Sequence, residues 1–75
     1  MSKIQNIVKI GSTVYAKKEN KLYKFIIVED NPDPILGKIT KTSPVGEMLL
    51  GKKKNDVVKV ETESGVLEYI IDKVE

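Results

Sequence analysis

Three short stretches of the sequence carry side chains whose type and spacing could do chemistry: Asp30-Asn31-Pro32-Asp33, Ser43-Pro44 and Lys52-Lys53-Lys54. The two aspartates offer carboxylates to a cation. A calcium loop also needs a glycine at its sharp turn and a distal glutamate, and here proline stiffens the segment between the acids. The stretch therefore reads as a turn and no metal is expected. Ser43-Pro44 is a helix start, with serine as the N-cap and proline at the first helical position. Taken alone it predicts capping, lost at a cost of ~1 kcal/mol on replacing the serine. The three lysines could hold a phosphate backbone, but no aromatic is interleaved with them, and such a run is ordinarily a solvated helix end.

The residues that are missing narrow the chemistry further. There is no histidine and no cysteine, which removes thiolate nucleophiles, imidazole bases and Cys/His zinc sites. No catalytic group and no cofactor are expected. All thirteen cations are lysine against eleven acids, a net charge of +2. That balance is mild for a domain that lives on phosphate backbone. Without arginine there is no bidentate fork for guanine edges, carboxylates or phosphates. Composition favours a small binding module over an enzyme.

The elements that must position these residues fit in one domain of 75 residues. Nine isoleucines, nine valines and four threonines lean the chain toward strand. Residues 12–18 and 22–29 read as a hairpin around Glu19-Asn20. The two prolines of residues 30–34 break regular structure, and residues 37–41 alternate like a short strand. Ser43-Pro44 then opens a helix of two turns at most. Val45, Met48 and Leu49 form its apolar face, Gly51 closes it, and Lys52, Lys53 and Lys54 sit at its C-terminal end. Residues 57–62 and 66–73 form a second hairpin across a three-residue connection, Glu63-Ser64-Gly65. Leu67, Tyr69 and Ile71 share one phase and Ile70 and Val74 fall in the other, so a bulge or a second buried face is expected near the end. The sum is an α+β fold, an antiparallel sheet packed on one short helix. No apolar run approaches the ~20 residues of a membrane span, and the cytoplasm is the default compartment.

From Lys9 onward the chain resembles the C-terminal domain of the bacterial Gre transcript-cleavage and elongation factors (GreA-like). Four ordered blocks carry the likeness: Gly11-Ser12-Thr13-Val14; Ile27-Val28-Glu29-Asp30-Asn31-Pro32-Asp33; the run from Gly37-Lys38-Ile39-Thr40 through Thr42-Ser43-Pro44 to Gly51-Lys52; and Asn55-Asp56-Val57-Val58-Lys59-Val60 with Gly65 and Tyr69. Thr40 stands where serine is usual, Thr42 where Asn or Asp is commoner, and Asn55 where glycine is usual.

The resemblance implies an FKBP-like fold and RNA polymerase as the partner, with nucleic acid contacted at most indirectly. Thr42, Ser43 and Pro44 match the family's polymerase-docking loop, and Asp33 falls in its acidic loop, where it would order the turn by accepting from backbone amides. In these factors cleavage is carried by acids on an N-terminal coiled coil, and residues 1–8 contain neither heptad nor acidic pair. They read as an N-terminal extension to the domain at 9–75. The chain is expected to be a monomer, and either the excised domain of a larger Gre protein or a stand-alone relative. A small nucleic-acid-binding barrel is the alternative. Prolyl isomerase activity is the least favoured reading, because Tyr15, Tyr23, Phe25 and Tyr69 are the whole aromatic set and packing claims them.

Overall fold

Alternating side chains build two hairpins, and the rest of the fold is how these are joined. The computed structural model describes residues 7–75. β1 (Thr13–Lys18) and β2 (Lys21–Val28) form the first hairpin around Glu19-Asn20. β4 (Val57–Thr62) and β5 (Gly65–Val74) form the second. β1 also pairs with β5, which gives the order β3-β2-β1-β5-β4, with β3 at Lys38–Thr40. One α-helix, α1 (Pro44–Leu49), packs against both edge strands, β3 and β4. A helix two turns long can touch both edges only if the sheet is curled, so α1 closes the open side of the curl. The α+β class is as expected from the sequence.

Not every pair is antiparallel, as the alternation had predicted. β2 and β3 run parallel, with Ile26 beside Lys38 and Val28 beside Thr40. A parallel pair needs its connection to turn back twice. Residues 29–37 do this in a small space. Asp33 and Lys38 exchange two backbone hydrogen bonds of 2.9 Å, closing a ring around a single 3-10 turn at Pro34–Leu36. Gly37 leaves that turn at φ 78, and its α-carbon lies so close to the Lys24 carbonyl that a methyl group would overlap it.

The core is the concave face: Val8, Val14, Ala16, Ile27, Leu49, Val58, Val60, Tyr69, Ile71 and Val74. Ile71 and Val74 lie three apart yet both face inward. Tyr15 pairs with Lys73 while Ala16 pairs with Ile71, so Asp72 is an extra residue and the strand changes phase there. This is the bulge expected near the end of the chain; it turns Val74 inward, while Ile70, expected in the same phase, stays half exposed on the outer face. Tyr23, Phe25 and Tyr69 pack ring on ring, with centroids 5.6–6.4 Å apart. Burial pushes the Tyr69 phenol above its ordinary pKa, partly opposed by Lys18.

Other details depart from the sequence reading. Val8 is buried, its N–H donating to the Lys52 carbonyl at 2.8 Å. The stretch read as an N-terminal extension therefore includes a core residue, while its first six residues lie outside those described. The second hairpin turns on Glu63-Ser64 alone, because Gly65 already pairs with Thr62, at φ 127. Lys52, Lys53 and Lys54 do not cap α1. The helix ends at Leu49, and the lysines lie in the connection to β4, where Lys53 bridges Ile7 and its N–H donates to Asp56.

That connection ends in a turn at Asn55, whose φ is 77. Asn tolerates the left-handed region better than other side chains, but glycine tolerates it best. Asn55→Gly is expected to stabilise the domain or leave it unchanged, within ~1 kcal/mol, whereas Asn55→Val should destabilise it by ~1–2 kcal/mol. Paired urea melts of the two variants check the sign.

Candidate functional site

The segment between β3 and α1 is held by a knot of hydrogen bonds around one carbonyl. Thr40 O accepts from the Ser43 N–H at 3.1 Å and from the Ser43 hydroxyl at 2.9 Å. The same hydroxyl oxygen accepts from the Gly46 N–H at 3.0 Å, as an N-cap should. Ser43 O in turn accepts from the Glu47 N–H at 2.8 Å. Glu47 lies in the first turn, where the helix dipole favours an acid. Pro44 follows the cap at the first helical position, where no N–H is needed.

The three residues singled out in the sequence thus divide in two. Ser43 is half-buried and both hydrogen-bonding capacities of its hydroxyl are used inside the fold. Thr42 and Pro44 are exposed on either side of it. The Thr42 hydroxyl lies 3.2 Å from that of Thr40, which ties the loop to the end of β3. What the loop presents is the exposed side chains of Thr42 and Pro44 on a braced backbone.

Sequence reasoning missed Gly46, which makes this knot possible. Gly46 is buried, and a β-carbon there would run into the Thr40 carbonyl and crowd the Ser43 hydroxyl. The signal was present as a glycine inside a short helix, a position that otherwise disfavours it. Met48, expected on the apolar face, is 39% exposed, while Leu49 is fully buried. Met48 and Pro44 instead wall a groove of about 400 Å³ beside the loop, with Lys59, Val60 and Glu61 of β4 opposite.

Asp33 lies elsewhere, in the ring that precedes β3. Its carboxylate accepts from the Ile35 N–H at 3.2 Å, capping the 3-10 turn. The turn holds Ile35 out with 94% of its surface exposed. Asp30 accepts from the Asn31 side chain at 3.0 Å. Among the described residues no group of three or more acidic, histidine or cysteine side chains is placed to share a metal.

The chain matches, over residues 3–75, the family model described as transcription elongation factor GreA/GreB, C-terminal. It is 51% identical over 67 residues to the transcription elongation factor GreA of Pelobacter propionicus, covering 83% of this chain and 42% of that protein. To the GreA of Trichlorobacter lovleyi it is 50% identical over 56 residues, covering 75% and 35%. The chain thus spans less than half the length of these relatives. Among solved structures it resembles the GreA/GreB factor of Nitrosomonas europaea, with a TM-score of 0.74 and 30% identity over 91% of this chain and 59% of that one. The fold also matches Thermus aquaticus Gfh1, with a TM-score of 0.78 and 24% identity over 95% and 49%. With the family model matched over residues 3–75 and a GreA relative 51% identical over 83% of this chain, the chain belongs to the GreA/GreB transcription elongation factor C-terminal domain family.

Proposed function

We propose that this domain is a docking module for RNA polymerase, that Thr42 and Pro44 are its contact residues, and that Ser43 braces them from within. The observation that carries the reading is the division of the loop. Its polar group is turned into the fold and its two exposed side chains are held rigid, which lowers the ordering cost of binding. Family membership supports polymerase as the partner. Asp33 contributes indirectly by fixing the ring that feeds β3 into the loop. On this reading the domain acts in the cytoplasm, touches nucleic acid at most through the transcription complex, and contributes no catalytic residue.

A face centred on one loop buries a modest area, and interfaces below ~1,200 Å² are usually transient. The isolated domain is therefore a weak, reversible ligand and a mild competitor of longer Gre factors. Titration of core polymerase with labelled domain tests this. Pro44→Asp keeps a good helix start and changes only the presented surface, so it should weaken binding ~tenfold or more with an unchanged melting temperature. Ser43→Ala should lose both binding and ~1 kcal/mol of stability. Added to a backtracked elongation complex, the domain should leave RNA cleavage at the polymerase's intrinsic rate. Absence of polymerase binding, together with steeply salt-dependent binding to single strands, would replace this reading with the nucleic-acid-binding one.

A further inference from the structure

β4 is an edge strand, with β5 on one side and no strand among the described residues on the other. Its ladder tells which backbone groups are free. Ile71 N–H donates to Asp56 O at 2.9 Å. Along an antiparallel pair such bonding alternates, so Val58, Val60 and Thr62 turn their N–H and C=O groups toward β5. Val57, Lys59 and Glu61 turn theirs to the open edge, where no backbone bond to another described residue engages them.

Edge strands of this kind are usually protected by a charge, and Lys59 is such a residue. Glu61, two positions on and on the same outer face, cancels that protection for one particular visitor. An antiparallel strand must set its outward-bonding residues against those of β4. For a second copy related by a two-fold axis, an axis at Lys59 opposes two lysines and an axis at Glu61 opposes two glutamates. An axis at Val60 sets Lys59 opposite Glu61 of the second copy, twice over, with both pairs in hydrogen-bonding register. Like charges directly opposite are destabilising and unlike charges favourable, so charge selects this register.

We propose that two copies of the domain associate through their β4 edges in the register centred on Val60, joining their sheets into one. The pairing makes four backbone hydrogen bonds and two cross-strand ion pairs. It also covers the exposed Met48 and the groove between α1 and β4 that lies along this edge. The buried area is small, so association belongs to the range of about 0.1–1 mM, and the dilute domain is monomeric.

Sedimentation equilibrium of the full chain across that range should show a reversible monomer–dimer equilibrium that weakens with salt. Lys59→Glu and Glu61→Lys should each weaken dimerisation about tenfold, because both symmetric pairs change from attraction to repulsion. The Lys59→Glu/Glu61→Lys double variant should restore it. Glu61 faces Val66 and has no ionic partner across the hairpin, so Glu61→Lys keeps the test valid if Lys59→Glu, which faces Glu68, melts early. The proposal is overturned if the wild type stays monomeric at 1 mM, if single reversals leave association unchanged, or if the double variant fails to recover it. Concentration-independent protection of the Lys59 and Glu61 amides from hydrogen exchange would also sink it, since the chain would then be covering its own edge.

Discussion

Gly46→Ala is expected to destabilise the domain by ~3 kcal/mol and, with it, to abolish the proposed polymerase docking. The added methyl group meets the Thr40 carbonyl, which is backbone and is already fixed by the Ser43 N–H and hydroxyl. It cannot swing aside as a side chain would. Relief requires α1 to move off β3, which breaks the Gly46–Ser43 cap bond if Ser43 stays on Thr40 and the Ser43–Thr40 bonds if it moves with the helix. For a domain of this size each kcal/mol lowers the melting temperature by ~4–8 °C, so a fall of more than ~12 °C is the expected reading. Gly51→Ala is the control. Gly51 sits at φ 82 with nothing near the site of its missing β-carbon, so only backbone strain is added, at ~1 kcal/mol. Equal losses from the two variants would show that the Thr40 contact adds nothing to the need for glycine at position 46.

The second large effect is expected at Leu49. Leu49 and Gly46 are the buried residues of α1, and Leu49, fully buried, is the one that brings a side chain. Truncation to alanine removes the anchor and leaves a cavity between α1 and the sheet, at a cost of ~2–5 kcal/mol. Met48, one position earlier, faces the groove, and Met48→Ala should cost less than ~1 kcal/mol. Denaturant unfolding followed by far-ultraviolet circular dichroism separates the two. Similar losses at both positions would mean that α1 is rotated from the orientation described.

Much of this was legible in the sequence because the physics involved is local. Alternation marked both hairpins, the phase change between Ile71 and Val74 marked the bulge, and Ser43-Pro44 marked the helix to within a residue. Asn55 makes sense once its positive φ is known, since asparagine tolerates the left-handed region better than other side chains. What escaped was set by tertiary contact. The parallel pairing of β3 depends on the Asp33–Lys38 ring, which no periodicity announces. Whether Met48 or Leu49 faced inward could not be decided in a helix of six residues, where both fit an apolar stripe. A glycine inside a short helix hinted that position 46 is special, but the cause, the approach of a carbonyl six positions earlier, comes from the folded chain.

The seating of α1 against both edges of the sheet also bears on the order of assembly. The two hairpins close over short loops and can form early, whereas joining β1 to β5 must overcome the entropy of closing most of the chain. Until that happens, β3 and β4 are not brought to opposite sides of one curl, and so short a helix has nothing to hold it. The braced loop is thus expected among the last features to appear in refolding. A partner that reads Thr42 and Pro44 on that loop therefore tests, in the same contact, whether the chain has finished folding.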